Sequence, residues 1–221
     1  MTDAPPRRIP PPLEKGDRNL NPADIGFLAL LREDLRTHDG DWLDQGFWAV
    51  AVHRFGNWRM GFRRKLIRAP LTLLYRFLHK VVEWTCGITL PQITRVGRRV
   101  RLWHHSGMIL HARSIGDDCH IRHLTTFGVV RRDHNHEVPT IGDRVDIGCG
   151  VCILGDVIVG HDSLIGANSV VLRDVPPWSV AAGAPAKVLK SLTPPAAEST
   201  AIQSTATAHL VSIQGESASA G

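Results

Sequence analysis

Two adjacent histidines, His104 and His105, lie between Leu102 and Gly107. Imidazole has a reference pKa of about 6.5, so it is largely neutral at pH 7 and still basic enough to accept a proton. The chain holds 12 histidines, too many for all of them to be catalytic. On residue type alone, His104 is either a proton acceptor or a surface histidine without a chemical task, and both interpretations stay open.

A second polar group lies in the segment from Arg131 to Pro139, which contains Arg132, His134 and His136. Guanidinium and imidazolium groups can pair with a carboxylate. The segment is therefore either a site for an acidic ligand or a solvated polar loop, and its composition does not choose between them.

The cysteines provide a weaker signal for metal or redox chemistry. Cys149 and Cys152 form a CxxC motif, but no second pair supports a zinc site. We interpret both as small residues of a repeat, expect no metal, and expect all four cysteines to be reduced thiols in the cytoplasm.

A repeat of six residues positions these groups. A period of six fits neither a helix nor an alternating strand, and it is typical of a parallel β-helix in which each hexad makes one short strand and one turn. Six matches after residue 141 argue against a β-sandwich with chance spacing. The aliphatic positions are Ile141, Ile147, Ile153, Val159, Ile165 and Val171 downstream, and Val96, Leu102, Met108, Ile115, Ile121 and Phe127 upstream, with one slip before Ile115.

The remaining segments give the domain organisation. Residues 1–22 and 191–221 are predicted to be disordered tails, residues 23–86 a helical region, and residues 87–190 the β-helix with a loop at 129–140. Asn21 and Asp24 are candidate caps of a helix beginning near Ile25, and Pro70 is expected to kink or interrupt a basic amphipathic helix. We favour packing of that helix on the β-helix, with its charges in water, over contact with a membrane.

Composition limits the partners. The chain has 221 residues, a net charge of +5 and a pI near 9.4, which favours anionic partners such as a phosphorylated coenzyme. No nucleic-acid motif accompanies this charge, so no nucleic acid is expected. The first residues lack the apolar core of a secretory signal and no stretch is long enough to span a membrane, which predicts a cytoplasmic protein.

The hexads and the closing stretch from Arg173 to Lys190 resemble the hexapeptide-repeat acyltransferases. The stretch from Phe47 to Met60 is similar to the helical lead-in of the serine O-acetyltransferases, in their compact form. The resemblance implies a mainly β chain with a left-handed β-helix, a homotrimer or dimer of trimers, and acetyl-CoA as co-substrate. The implied reaction makes O-acetylserine for cysteine synthesis, by direct transfer without an acyl-enzyme.

The same resemblance assigns roles to residues. His104 and Gly107 match the family's catalytic turn, which implies that His104 is the general base. Two acids of the family pattern are missing, because Thr89 and Trp103 stand in their places, and Glu83, a carbonyl or another subunit is left to orient His104. Glu137 and Val138 replace an Arg-His pair that holds the substrate carboxylate, so Arg132 and His136 are the implied substitutes. The implied coenzyme-binding residues are Gly148, Cys149, Gly166, Ala167, Gly183, Ala186 and Lys187.

Three other functions stay open. The missing acid and Arg-His features favour a sugar hydroxyl of a polysaccharide as the acceptor instead of serine. A zinc carbonic anhydrase shares the coil, but the segment Ile147-Gly148-Cys149-Gly150 stands where that family has a histidine pair. A non-catalytic trimeric scaffold is the last alternative, and substitution of His104 separates it from an enzyme.

Overall fold

The computed structural model describes residues 19–131 and 137–192 of the chain. Three helices precede the strands: α1 (Phe27–Thr37), α2 (Gln45–Trp58) and α3 (Lys65–Cys86), with a 3-10 turn at Arg59–Gly61. None of the described helices is long and apolar enough to cross a membrane. Arg132 and His136 lie outside the described residues, as do most of both predicted tails.

Fifteen short strands follow the helices in the described part of the chain. They are β1 (Ile88–Thr89), β2 (Arg95–Val96), β3 (Arg101–Trp103), β4 (Met108–Leu110), β5 (Ser114–Ile115), β6 (His120–Arg122), β7 (Thr126–Gly128), β8 (Thr140–Ile141), β9 (Asp146–Ile147), β10 (Cys152–Leu154), β11 (Ile158–Val159), β12 (Leu164–Ile165), β13 (Val170–Val171), β14 (Ser179–Gly183) and β15 (Ala186–Ser191).

The strands form three sheets, and each strand pairs with the strand three places along the chain until the last turn. The orders are β1-β4-β7-β10-β13, β2-β5-β8-β11 and β3-β6-β9-β12-β14-β15. The pairings from β1 to β14 are parallel. Three strands per turn make a β-helix with three faces, which confirms the architecture that the hexads predict.

The core is three columns of aliphatic side chains that stack from coil to coil along the axis. All members are buried, so the period of six is the period of inward-facing positions. The columns are Leu110, Phe127, Ile153 and Val171; Val96, Ile115, Ile141 and Val159; and Leu102, Ile121, Ile147, Ile165 and Ala181.

The assignment of Met108 to the repeat is wrong by two residues. Met108 is buried opposite Ile88, but the residue in line with Phe127 is Leu110. The step from Leu102 to Leu110 is eight residues, two longer than a hexad, and the step from Leu110 to Ile115 is five, one shorter, so together they give the net slip of one residue before Ile115. The extra length falls in the turn that carries His104.

Helix α1 begins at Phe27, and neither of its two predicted caps, Asn21 and Asp24, is its N-cap. Gly26 is the N-cap of α1 and makes no side-chain cap, whereas Asp24 pairs with Arg98 at 2.7 Å and Asn21 donates to the Arg54 carbonyl at 2.9 Å. Helix α2 is capped by Asp44, whose carboxylate accepts from an amide of the first turn at 2.7 Å. Asn21 and Asp24 instead attach the segment before α1 to α2 and to the first coil.

Helix α3 runs from Lys65 to Cys86 without interruption, although Pro70 lies inside it. Pro70 has no N–H to donate to the carbonyl of Leu66, one turn earlier. Leu66 is exposed, so water can satisfy that carbonyl. The proline lies near the start of the helix on its solvent side, where the loss of one hydrogen bond is tolerated.

A buried ion pair joins the helices to the first coil. Arg54 of α2 and Asp34 of α1 are both fully buried, with Nε and Oδ2 3.0 Å apart. The Arg54 guanidinium also donates to the carbonyls of Val96 at 2.6 Å and Gly97 at 2.5 Å. One side chain thus satisfies acceptors from a helix and from the start of the β-helix, which fixes their relative position.

Replacement of Arg54 by Met is expected to lower the free energy of unfolding by about 3–5 kcal/mol, because Asp34 would stay buried without a partner. The double variant Arg54→Met with Asp34→Leu should recover most of that loss, since no buried charge is left over. Urea unfolding of the three proteins measures both effects. Equal loss in the single and double variants would contradict a role for the unpaired charge.

His53 makes the neighbouring contact between α2 and the first coil. Its Nε2 lies 3.0 Å from the Thr94 carbonyl, and because a carbonyl can only accept, Nε2–H is the donor. Burial, aided by the Arg54 cation, lowers the pKa of His53 from 6.5 to about 3. The unfolded chain therefore binds a proton below pH 6.5 that the native protein does not take up until about pH 3.

Because of this lowered pKa, the free energy of unfolding should decrease as the pH falls below 6.5. The loss should reach about 2 kcal/mol at pH 5, at about 1.4 kcal/mol for each pH unit. His53→Gln keeps a donor for Thr94 but cannot titrate, so its unfolding free energy should fall less between pH 7 and pH 5. Urea unfolding at the two pH values tests the difference, and parallel losses would refute it.

Candidate active site

One corner of the β-helix brings His104 together with small residues from the later coils. Each of these residues stands two positions after a member of the column that begins at Leu102, so all of them lie where the chain leaves the six-stranded sheet. We call this edge the Leu102 corner. Its positions, from the first coil to the last, are His104, His123, Cys149, Ala167 and Gly183.

The turn that carries His104 has an unusual backbone. His104, Ser106 and Gly107 have φ values of +53°, +98° and +67°, all in the left-handed region. Gly87 lies against this turn, since a Cβ there would be 3.1 Å from the Ser106 Cα. The Leu124 amide donates to the Ser106 carbonyl at 3.1 Å, which holds the turn onto the next coil. The longer turn thus projects His104 and His105 from the coil, and both are exposed.

The His104 ring lies beside a second imidazole. The rings of His104 and His123 are edge to face, with centroids 5.8 Å apart. The ring of Trp103, the residue before His104, has its centroid 6.3 Å from that of His104. His123 Nδ1 is buried and has no hydrogen-bond partner among the described residues. His123 is not among the residues that the sequence predicts to be functional. Its position could be found only from the coil register, since it follows Ile121 as His104 follows Leu102.

Trp103, which stands in place of an acid of the family, is held through both its ring nitrogen and its ring face. The indole N–H donates to His120 Nδ1 at 2.8 Å, which places the His120 proton on Nε2 because indole cannot accept. The Arg101 guanidinium lies 3.7 Å from the Trp103 ring centroid and pairs with Asp39, whose pKa it lowers chiefly through that hydrogen bond. An aromatic ring, fixed by a cation, therefore stands next to the candidate base.

Glu83, the side chain of this chain left to orient His104, has its partners elsewhere, and Thr89 only marks the place where the family has an acid. The Glu83 carboxylate pairs with Lys80 and approaches His79 Nε2 at 3.6 Å, so its partners are in its own helix α3. Thr89 of β1 is half-buried and carries no charge. Of the two aromatic rings beside His104, that of His123 is the nearer, with centroids 5.8 Å apart against 6.3 Å for Trp103.

The small residues of the corner are required by the packing of the coils. A Cβ on Gly148 would lie 2.6 Å from the Ala167 amide nitrogen, and one on Gly166 would lie 2.8 Å from the Ala182 Cβ. The amides of Gly148 and Gly166 donate to the next coil at 2.8 Å. Close stacking thus explains these glycines without a ligand, and it leaves the later coils of the corner, at Cys149, Ala167 and Gly183, without large side chains.

The last two predicted coenzyme residues lie on β15, next to β14 in the six-stranded sheet. Ala186 packs against the core, whereas Lys187 is exposed. Gly183, at the end of β14, has a φ of +103°, and its amide donates to Ser169 Oγ at 3.1 Å. The far end of the Leu102 corner therefore combines a glycine turn with a cation in water.

The loop residues that replace the family's Arg-His pair differ in exposure. Val138 is 7% exposed and belongs to the buried set, and Glu137 is exposed. Val138 thus serves packing and cannot bind a carboxylate. Arg132 and His136 cannot be placed, because they lie outside the described residues.

Neither the cysteines nor the apolar cavity between α2 and α3 indicates another chemistry. Cys149 and Cys152 are free, half-buried thiols, and the described residues hold no group of three or more His, Cys, Asp or Glu that could bind a metal. A cavity of about 330 Å³ between α2 and α3 includes Trp48, Leu78 and Val82 in its lining. Its lining is almost wholly apolar, which does not suit an anionic coenzyme.

Comparison with known proteins identifies the family. No family model matches the chain. It is 37% identical over 115 residues to the serine acetyltransferase of Helicobacter pylori strain J99, covering 52% of this chain and 67% of the relative. The chain belongs to the serine acetyltransferase family. The relative from Mycobacterium tuberculosis is 34% identical over 145 residues, or 65% of this chain and 60% of that serine acetyltransferase.

The solved serine acetyltransferases share the fold. The soybean apoenzyme superposes with a TM-score of 0.63 at 29% identity, covering 74% of this chain and 69% of that chain. The fold is thereby confirmed as the left-handed parallel β-helix of the serine acetyltransferases, preceded by a few helices. A Brucella abortus serine acetyltransferase in complex with coenzyme A superposes with a TM-score of 0.63 at 24% identity and covers 80% of each chain.

The match to the serine acetyltransferases is partial in length. The chain spans 60% of the Mycobacterium tuberculosis relative and 51% of the Escherichia coli K12 relative, to which it is 32% identical over 146 residues. The soybean enzyme has also been solved with serine. The chain is thus similar to only part of the length of each of these relatives.

Proposed function

We propose that the protein is an acetyl-CoA-dependent serine O-acetyltransferase. The observation that carries this proposal is the Leu102 corner, where His104 and the small residues expected along a coenzyme share one edge of a serine acetyltransferase fold. The solved complexes of relatives with coenzyme A and with serine support the choice of both substrates.

His104 acts as the general base in this proposal. Its neutral imidazole takes the proton of the serine hydroxyl while the serine oxygen attacks the acetyl carbonyl of the thioester. The C–S bond then breaks, and the imidazolium returns the proton to the departing thiolate, giving O-acetylserine and coenzyme A. No acyl-enzyme forms, so no protein nucleophile is needed, and the base contributes about 10²–10⁴ to the rate.

The coenzyme is proposed to lie along the Leu102 corner. Gly148, Cys149, Gly166 and Ala167 leave room for the pantetheine arm beside backbone groups, and the thioester would reach His104 in the first coil. Gly183 and Ala186 would border the other end of the arm. Lys187 is exposed there, where its ammonium group can meet the nucleotide phosphates.

The acceptor site is proposed to include Arg132 and His136, whose cationic groups can pair with the serine carboxylate. A sugar hydroxyl is the second candidate acceptor. It is favoured by the burial of Val138 and by Trp103, since neither the position of Val138 nor that of Trp103 offers a charge for an amino acid.

A trimer is proposed as the assembly, alone or as a dimer of trimers. The outward positions of the five-stranded sheet are Thr89, Ile109, Thr126, Cys152 and Val170, and they carry no charge. A neighbouring β-helix can cover such a face and complete the site beside His104. The cytoplasmic location stays a prediction from composition.

Substitution of His104 tests the proposal. The rate of coenzyme A release from acetyl-CoA with L-serine should fall by about 10²–10⁴ in His104→Ala, because no base would then activate the hydroxyl. His105→Ala is the matched control, since His105 is the exposed neighbour in the same turn. It should stay within a few-fold of the unchanged protein, and equal losses in the two variants would refute the assignment.

The same assay separates the acceptors. Release that needs a sugar hydroxyl and not serine would move the acceptor to a polysaccharide precursor while keeping His104 as the base. If acetyl-CoA binds but no acceptor supports coenzyme A release, and if His104→Ala binds acetyl-CoA equally well, the scaffold function remains.

Lys187 allows a separate test of the coenzyme's position. Lys187→Gln should raise the KM for acetyl-CoA about tenfold, the size of one charge-assisted hydrogen bond to phosphate, and leave kcat nearly unchanged. Lys190→Gln is the control, because Lys190 is also exposed on β15 and has no predicted contact with the coenzyme. An unchanged KM in Lys187→Gln would place the phosphates elsewhere.

A further inference from the structure

One face of α3 carries four large apolar side chains into solvent. Leu66, Leu73, Phe77 and Trp84 are 91%, 73%, 64% and 80% exposed. Their spacings of 7, 4 and 7 residues place them on one line along the helix, about 27 Å long at 1.5 Å per residue. We call this line the α3 stripe.

The opposite face of α3 is the one that packs on the protein. Tyr75, Val82 and Cys86 are buried, and Tyr75 closes on Gly56 of α2, where a Cβ would lie only 2.4 Å from the Tyr75 ring. The α3 stripe therefore lies half a helical turn away from the buried face. A continuous apolar line of this kind on a surface indicates an interaction site.

Cations border the α3 stripe. Spacings of 11 and 4 residues place Lys65, Arg76 and Lys80 along one side of it, and all three are exposed. Arg63 and Arg64 are exposed just before the helix begins. The only acid within α3 is Glu83, and it already pairs with Lys80. The surface around the stripe is therefore strongly basic.

We propose that the α3 stripe binds the surface of an anionic phospholipid membrane. Apolar residues, with Trp84 at one end, would enter the boundary between headgroups and acyl chains, while the flanking cations meet anionic headgroups. The helix would lie flat on the membrane, in keeping with its length and charge, and would not span it.

Charge argues against a second copy of this chain as the occupant. Two α3 stripes placed face to face would bring together two sets of the same cations, and like charges across an interface oppose association. A membrane that contains acidic lipids matches both the apolar line and its basic border. This feature thus favours the membrane interpretation of α3, which the sequence alone left as the less favoured one.

Vesicle flotation with the full chain tests the proposal. The protein should float with phosphatidylglycerol–phosphatidylcholine vesicles, much less with phosphatidylcholine alone, and less at high salt. Leu73→Gln with Phe77→Gln should weaken binding to the acidic vesicles at least about tenfold. Leu28→Gln with Leu43→Gln removes two equally exposed apolar side chains outside α3 and should bind as the unchanged protein does.

A charge pair of variants completes the design. Arg76→Gln with Lys80→Gln should lower binding to acidic vesicles about tenfold, and Arg32→Gln with Arg36→Gln, on the exposed side of α1, should not. Circular dichroism of each variant checks that it is folded. Absence of flotation for the unchanged protein would overturn the proposal. A change of oligomeric state in Leu73→Gln with Phe77→Gln, with vesicle binding intact, would assign the stripe to a contact between copies of this chain.

Discussion

The vertical register of the coils is the constraint on which the site depends. Each inward aliphatic residue lies above its counterpart in the coil before, and the amides between them donate from one coil to the next. Because the columns are fixed, the residues that follow them are fixed as well. His104, His123 and Cys149 therefore share an edge although 45 positions separate the first from the last. The proposed general base and the proposed coenzyme path therefore need no further device to bring them together.

The helical region depends on a different interaction, the buried pair of Arg54 and Asp34. Hydrophobic contact alone would let α2 slide along the first coil, whereas a guanidinium that must reach the carbonyls of Val96 and Gly97 has one position. Desolvation of two charges is costly, so the pair serves orientation more than stability. Through Gly46, which lies against the Leu102 carbonyl, α2 also abuts the strand that leads to His104.

The sequence predicted the repeating part of this fold well and its exceptions poorly. A period of six is a local signal, and it located the columns from Ile115 onward. It could not show that the turn after Leu102 holds two extra residues, because Met108 is also buried and fits the period by coincidence. His123 escaped notice because its meaning lies in coil stacking. The caps of α1 were wrong, since Asp24 finds a stronger partner in Arg98.

The loop between β7 and β8 shows how such a fold tolerates change. Ile115 and Ile141 pair although 26 positions separate them, whereas Ile141 and Val159, one coil later, are 18 apart. The added residues leave the frame of every later coil untouched. The length and sequence of this loop can therefore change without disturbing the Leu102 corner. Because the loop carries Arg132 and His136, the proposed acceptor residues, the acceptor site can change without altering the proposed coenzyme path.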